Sequence, residues 1–257
     1  MDGTLACTQR PVATYQPKSE ARKRPVEVSS SVILFIDTQK YNCTRGGALY
    51  ASSSQASREA DLEYFWDTLE KTIPRWKKLQ DTCRSQGVEV MYTVIQSLTL
   101  DGRDMSLDYK ISGFHVPPGC EDAQVLDEIS PHGDEIVLPK TSCNVFVSTN
   151  IDYILRSLGA KQIILCGCVT DQCVDAAVRS ACDLGYLVTM LTDACVTYSQ
   201  GRHDSAVAAL SGFCRQLTTD ELIAEIEAQP SVATARSNGV DEREGKEKRA
   251  RPGSSVN

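Results

Sequence analysis

The chain has 257 residues, of which 41% are hydrophobic and 24% are charged, and its formal net charge is −7 at pH 7. This length and apolar content allow one sizeable core, and the acidic balance argues against a nucleic-acid-binding protein, because phosphate is attracted by basic surface. We expect a cytoplasmic protein that does not enter a membrane, since no apolar run approaches the length of a membrane span and no secretory leader pattern is present.

The first predicted elements follow a polar N-terminal segment. Residues 1–28 place Arg and Lys side chains among Pro, Ser and Thr without apolar periodicity, so we predict that this segment is disordered. A continuous apolar run at residues 31–37 predicts the first strand. Apolar residues at spacings of three and four then predict a long amphipathic helix from Leu62 to near Gly87.

The rest of the chain alternates between strand-like and helix-like segments, which is typical of a parallel sheet covered by helices. Further strands are predicted at residues 88–95, 135–140, 162–166, 186–193 and 215–217. Thr218 and Glu221 form a capping-box pattern at the start of a closing helix. Residues 229–257 are again polar and charged, so we predict one domain over residues 29–228 followed by a disordered tail.

Three reactive side chains stand at the ends of predicted strands. Asp37 ends the first, Lys140 ends the third, and Cys173 follows the fourth at the first turn of a helix. Ligands of open α/β sheets bind beyond these strand ends. A carboxylate can take a thiol proton, an ammonium favours the thiolate, and helix N–H groups stabilise negative charge. Together they predict a cysteine that attacks a carbonyl carbon and releases the acyl group to water.

Each of these residues also has an ordinary structural explanation: a cap or turn residue, a surface charge, or one of many buried thiols. The chain has 11 cysteines, spread through predicted helices and strands without a Cys-x-x-Cys pair, which favours reduced thiols over a disulfide framework. Cys166, Cys168 and Cys173 have no histidine nearby, so we expect no metal, and we expect no cofactor. Cys166 and Cys168 share one face of a strand and are expected to be buried, so we do not expect these three thiols to act as a redox sensor.

Three segments resemble the motifs of the isochorismatase-like cysteine hydrolases. They are residues 37–39 (Asp-Thr-Gln), 140–142 (Lys-Thr-Ser) and 167–174 (Gly-Cys-Val-Thr-Asp-Gln-Cys-Val). That superfamily includes nicotinamidases, N-carbamoylsarcosine amidohydrolases, ureidoacrylate amidohydrolases and biuret hydrolases. The resemblance implies an α/β fold, namely a three-layer α/β/α sandwich around a mostly parallel, doubly wound sheet of six strands.

The resemblance also implies details of the site. A cis peptide between Val169 and Thr170 is expected to direct the Thr170 and Cys173 amides into an oxyanion hole next to Val169. Nicotinamidases hold a metal with an Asp and paired histidines, whereas residues 96–104, after the second predicted strand, contain no histidine. Family members commonly form dimers or tetramers, so a homodimer or homotetramer is expected.

Five further residues are candidates for contacts with a small-molecule substrate: Gln96, Arg103, Tyr41, Asn42 and Asn144. Gln96 could hydrogen-bond an amide or carbamoyl group, and the Arg103 guanidinium could bind a carboxylate through two parallel hydrogen bonds. Tyr109 and Phe146 are less specific candidates for the pocket wall. His203 is interpreted as a residue at a helix start or a subunit contact, because Asp37 already supplies a base.

The leading hypothesis is a metal-independent amidohydrolase acting on a small amide, ureido or carbamoyl compound. One alternative is hydrolysis of the vinyl ether of isochorismate, although true isochorismatases lack a cysteine at the position of Cys173. Another is a catalytically silent binding or regulatory module of the same fold, which the intact set of Asp37, Lys140 and Cys173 disfavours.

Overall fold

A computed structural model describes residues 19–50 and 62–231. Six strands form one sheet in the order β3-β2-β1-β4-β5-β6, and every neighbouring pair is parallel. The strands are β1 (Ser31–Ile36), β2 (Glu89–Ile95), β3 (Ile136–Lys140), β4 (Gln162–Cys168), β5 (Leu187–Val196) and β6 (Arg215–Leu217). The predicted α/β class is confirmed.

The described residues also form eight α-helices. They are α1 (Lys40–Cys43), α2 (Glu63–Gln86), α3 (Leu107–Ile111), α4 (Val145–Ser148), α5 (Ile151–Ser157), α6 (Asp175–Asp183), α7 (Gln200–Leu210) and α8 (Thr219–Glu227). A π-helical turn, Thr170–Val174, leads into α6. The capping box predicted at Thr218 and Glu221 is present at the start of α8. None of these helices combines the length and apolar character needed to cross a bilayer.

Helices cover both faces of the sheet because successive residues of a strand point to opposite sides. On β1, Ile33 and Phe35 belong to a core that includes Trp76 of α2 and residues of α8. Leu34 and Ile36 belong to the opposite core, which includes Val178 of α6 and residues of α5. The molecule therefore has the three layers expected of an α/β/α sandwich.

The strand order creates a crevice between β1 and β4. The chain runs outward from β1 to β2 and β3, then returns to the other side of β1 and runs outward through β4, β5 and β6. In such sheets the ligand site lies at the carboxyl ends of the strands where this reversal occurs. Ile36 pairs with both Thr93 and Gly167, and Ile95 pairs with Lys140, so the residues that follow these positions emerge at the same edge.

The two ends of the described chain contact each other. Val26 and Val28 are buried ahead of the predicted domain start at residue 29. The Gln229 amide donates a hydrogen bond to the Val26 carbonyl at 2.6 Å, and the Val28 N–H donates to the Gln229 side-chain oxygen at 3.2 Å. Most of the predicted terminal segments, residues 1–18 and 232–257, lies outside the described residues.

Gly167→Ala is expected to be strongly destabilising. Gly167 has a φ of +125°, and a Cβ there would lie 2.1 Å from the Ile36 carbonyl oxygen on the neighbouring strand. Backbone strain and overpacking together predict a loss of roughly 3 kcal/mol in the free energy of unfolding, measurable by urea denaturation. Gly185→Ala is the matched control, because Gly185 has a φ of +92° with nothing within 4 Å of its added Cβ. Equal losses in both variants would show that close strand packing is not the cause.

Candidate active site

Asp37 is fixed in place at the end of β1. Its backbone is left-handed, with a φ of 51°, a conformation that residues other than glycine seldom adopt. The backbone N–H donates to the Thr93 carbonyl at 3.0 Å, and the Thr93 hydroxyl donates to the carboxylate Oδ1 at 2.7 Å. The side chain is 1% exposed. These contacts leave the second oxygen, Oδ2, facing the end of β3.

Lys140, the last residue of β3, meets that oxygen. Its Nζ lies 2.9 Å from Asp37 Oδ2, and the lysine side chain is fully buried. The ammonium also donates to the Tyr109 hydroxyl at 2.7 Å and to the Ser142 carbonyl at 3.0 Å. Burial acts to lower the pKa of Lys140, but the negative charge of Asp37 and its contact with the ammonium outweigh burial, and the pKa is raised. Lys140 is therefore a buried cation.

Cys173 completes this contact chain from the π-helical turn after β4. Its Sγ lies 3.5 Å from Lys140 Nζ, 3.8 Å from the Tyr109 hydroxyl and 3.8 Å from the Sγ of Cys143. The interaction with the Cys143 sulfur and burial raise the pKa of the Cys173 thiol, although Lys140 opposes them. The same sulfur–sulfur contact lowers the pKa of Cys143. Cys173 is accordingly a thiol at rest, beside a cation and a carboxylate.

A cavity of about 310 Å³ opens onto this cluster. Its wall is rich in aromatic side chains, namely Tyr41, Tyr109, Phe114 and Tyr198. Among the described residues that line it, the charged side chains are Asp37 and Asp108. A volume of this size suits a small molecule. In the part of the chain that the structure describes, no group of three or more His, Cys, Asp or Glu side chains could hold a metal ion.

The sequence pattern of the isochorismatase domain matches residues 31–221, which is most of the chain and contains all of the cluster just described. The chain belongs to the isochorismatase family. The ureidoacrylate amidohydrolase RutB of Rhizobium rhizogenes is 27% identical over 224 residues, which cover 76% of this chain and 87% of that protein. The family places the protein among hydrolases.

Solved structures with similar folds include two hydrolytic enzymes. A cysteine hydrolase from Pseudomonas syringae pv. phaseolicola has a TM-score of 0.68 at 22% identity, covering 80% of this chain and 96% of its own. The N-carbamoylsarcosine amidase from Thermoplasma acidophilum has a TM-score of 0.57 at 24% identity, covering 74% of this chain and 97% of its own. At these sequence identities the structural similarity establishes the fold alone.

Some of the residues predicted to contact a substrate of this isochorismatase-family protein line the cavity, and others do not belong to its described lining. Tyr41 and Asn42 line the cavity, as does Val169 of the predicted oxyanion hole. Gln96 is not part of the described lining, and its backbone N–H donates to the Lys140 carbonyl at 3.2 Å. Gln96 follows β2 directly, as predicted, but this position does not bring it into the described lining.

Arg103 and Asn144 are also absent from the described lining, because each has a partner close in sequence. Arg103 is exposed and forms an ion pair with Asp101 at 3.1 Å, so the expected contact with a substrate carboxylate is not supported. Asn144 caps α4, accepting a hydrogen bond from the Phe146 N–H at 2.9 Å, and its amide donates to the Ser180 hydroxyl at 2.7 Å. The ion pair with Asp101 accounts for the position of Arg103, and the helix cap accounts for that of Asn144.

The cis peptide predicted between Val169 and Thr170 is wrong by one residue, since the structure has it between Cys168 and Val169. The motif does not by its residue types distinguish two neighbouring peptide bonds. Thr170 is fully buried, and its hydroxyl lies 3.1 Å from Nδ1 of His203. His203 thus contacts the turn that carries Cys173, a contact that its position near a helix start did not reveal.

Further contacts brace the π-helical turn against α7. Asp171 accepts a hydrogen bond from the Thr197 hydroxyl at 2.6 Å and forms an ion pair with Arg202 at 2.5 Å. Cys143, Asp108, Phe114 and Tyr198 are among the cavity residues that sequence reasoning missed. Cys143 carried a usable signal, because it lies three positions after Lys140 in the segment that follows a strand end.

Proposed function

We propose that this hydrolase cleaves a C–N bond of a small amide, ureido or carbamoyl compound through a thioester on Cys173. One observation carries the proposal: Lys140 Nζ lies 2.9 Å from the Asp37 carboxylate and 3.5 Å from the Cys173 sulfur, beside a cavity of about 310 Å³. A base, a cation and a nucleophile are thus grouped beside the space that a substrate would occupy.

The proposed reaction begins when Asp37 accepts the proton of the Cys173 thiol. The sulfur then attacks the substrate carbonyl carbon, and the protonated Asp37 returns the proton to the nitrogen that leaves. Water, activated by the same carboxylate, hydrolyses the thioester and restores the thiol. Lys140 keeps its charge throughout and favours each state in which negative charge develops on sulfur or on Asp37.

The oxyanion that forms on the substrate carbonyl oxygen needs hydrogen-bond donors. We assign this role to the backbone N–H groups of Thr170 and Cys173, with Val169 as the adjoining wall. Support comes from the position of the turn: Thr170–Val174 leads directly into α6, and N–H groups at the start of a helix stabilise negative charge. The contacts of Asp171 with Thr197 and Arg202 hold this turn in place.

The names of two similar proteins support cleavage of a C–N bond. RutB of Rhizobium rhizogenes is a ureidoacrylate amidohydrolase, and the Thermoplasma acidophilum protein is an N-carbamoylsarcosine amidase. The cavity of the present protein nevertheless favours a neutral or cationic substrate over a carboxylate. In the described lining, Asp37 is balanced by the buried Lys140, so the exposed carboxylate of Asp108 gives the wall its negative charge. Arg103 is paired with Asp101 outside the cavity.

The test is ammonia release from matched neutral, cationic and anionic members of three compound series: simple amides, ureido compounds and carbamoylated amines. We expect turnover in at least one series, loss of turnover in Cys173→Ala, and preference for the neutral or cationic member. Turnover of isochorismate that survives Cys173→Ala would instead indicate hydrolysis of a vinyl ether. Absence of all turnover would indicate a silent member of the fold.

Asp108→Asn is expected to reduce the preference for a cationic substrate. Asp108 lines the cavity near the aromatic wall, and an exposed carboxylate attracts a nearby cation only modestly. We therefore expect KM for the cationic member of a pair to rise about three- to fivefold, with little change for the neutral member. Asp101→Asn is the control, because Asp101 lies in the same irregular segment but pairs with Arg103 outside the cavity. The same KM change in both variants would contradict a role for Asp108.

A further inference from the structure

We propose that Cys143 and Cys173 form a dithiol that hydroperoxides convert into a disulfide, so that the nucleophile is reversibly blocked. The two sulfurs lie 3.8 Å apart and both side chains line the cavity. Cys143 follows β3, whereas Cys173 lies in the turn after β4, so the pair spans two separate segments of the site. No disulfide is present between them in the structure.

Cys143 is the sulfur placed to meet the oxidant. It is partly exposed, whereas Cys173 is 7% exposed at the inner end of the cavity. Its pKa is lowered by the contact with Cys173 and by the charge of Lys140. Peroxides react with thiolates, and susceptibility follows thiolate character and access. Both properties therefore favour attack at Cys143 before Cys173.

The chemistry balances without any reagent beyond the hydroperoxide. The Cys143 thiolate attacks one peroxide oxygen, the O–O bond breaks, an S–O bond forms, and the leaving oxygen takes up a proton. Sulfur is oxidised by two electrons and the peroxide is reduced. The Cys173 sulfur then attacks the sulfur of the sulfenic acid, an S–S bond forms, the S–O bond breaks, and hydroxide leaves with the Cys173 proton as water. A thiol reductant reverses the product.

A second pair of sulfurs serves as an internal control. Cys43 and Cys168 lie 3.7 Å apart, about the same separation as the first pair. Both are buried, with exposed fractions of 5% and 1%, and burial raises the pKa of Cys168 well above its usual range. Separation alone would allow both pairs to cross-link. Cys168 also lines the cavity, but neither sulfur of this second pair is partly exposed as Cys143 is. The access of the oxidant to Cys143 therefore restricts the reaction to Cys143 and Cys173.

The experiment treats the full chain with hydrogen peroxide, alkylates the remaining thiols and maps disulfides by peptide mass spectrometry. We expect a Cys143–Cys173 cross-link, no Cys43–Cys168 cross-link, and a fall in activity of at least about tenfold that dithiothreitol reverses. Cys143→Ser should lack the cross-link and retain most of its own untreated rate. Cys120→Ser, which removes a partly exposed thiol outside the cavity lining, should behave as the unmodified protein does.

Three results would overturn the proposal: no cross-link between Cys143 and Cys173, cross-linking of Cys43 and Cys168 at the same rate, or equally rapid inactivation of Cys143→Ser. The cross-link is read by mass and does not depend on the proposed hydrolysis. A protein that forms the disulfide but hydrolyses no compound of the panel would refute the proposed function and leave the dithiol standing. An active protein that forms no cross-link would refute the dithiol and leave the proposed function standing.

Discussion

Cys173→Ala is expected to lower kcat/KM for the best amide, ureido or carbamoyl substrate by on the order of 10⁵. The variant removes the sulfur that lies 3.5 Å from Lys140 Nζ. The neighbouring Tyr109 hydroxyl and Lys140 amine are poor substitutes as nucleophiles, because burial raises the pKa of the phenol and the ion pair with Asp37 keeps the lysine protonated. Cys173→Ser is expected to be nearly as inactive, since an alcohol is much harder to deprotonate than a thiol. Steady-state kinetics on both variants measures the effect.

The control for this prediction is Cys120→Ala, which removes a thiol outside the cavity lining and should leave kcat/KM unchanged. Thermal unfolding of all three variants separates loss of chemistry from loss of fold. The covalent mechanism would be refuted by a Cys173→Ala protein that keeps a tenth or more of the original rate. Trapping of a thioester on Cys173 by rapid acid quench, detected by mass, would support it directly.

The second large effect concerns the buried ion pair. Lys140→Met leaves the Asp37 carboxylate, which is 1% exposed, without its cation. An uncompensated buried charge of this kind is expected to lower the free energy of unfolding by about 3–5 kcal/mol. We expect activity to fall by more than about a thousandfold as well, because the thiolate and the developing charges lose their electrostatic support. Urea denaturation and steady-state kinetics measure the two effects separately.

The double variant Asp37→Asn with Lys140→Met separates these contributions. Removing both charges should recover much of the lost stability, since replacing a whole buried pair by uncharged groups of similar volume is often close to neutral. Activity should stay lost, because the base and the cation are both gone. A double variant no more stable than Lys140→Met would show that packing around Lys140, and not charge, accounts for the destabilisation.

The pH dependence of the stability that the ion pair contributes follows from the pKa of the lysine. That pKa is raised above its ordinary value of 10.5, so the stability that the folded state gains from the charged lysine is complete below pH 10.5. It is lost only as the pH rises through the raised value. The stability difference between the unmodified protein and the double variant Asp37→Asn with Lys140→Met, in which neither member of the pair can titrate, should therefore be constant between about pH 6 and pH 9. Urea titrations across this range check the prediction.

The strands of this protein could be predicted from the sequence because each is a short apolar run bounded by turn residues. That interpretation placed Asp37 and Lys140 at strand ends, and the ends of parallel strands meet at one edge of a sheet. Cys173 followed from the apolar run before it and the helix after it. Periodicity and chain order are local properties, so they were sufficient for the architecture and for these three positions.

Part of the cavity wall, namely Tyr41, Asn42 and Tyr109, was among the sequence candidates, but its contacts and the rest of the wall could not be obtained in this way. Tyr109 Oη accepts a hydrogen bond from Lys140, and Cys143 touches Cys173, although these partners are 31 and 30 residues apart in the chain. Tyr109 lies on a five-residue helix inside an irregular segment whose path no repeating pattern encodes. The charge of Arg103 indicated a substrate contact, and the structure pairs this side chain with Asp101, two residues away in the sequence.

The order of apolar and polar residues thus established the layered α/β architecture and the three strand-end groups, because both depend on interactions between near neighbours and on the geometry common to all parallel sheets. The tertiary structure determined which loop side chains surround Cys173, that Asp108 lies on the cavity wall, and that a second thiol lies 3.8 Å from Cys173. These contacts join distant segments, and their existence depends on how irregular loops pack over the sheet edge.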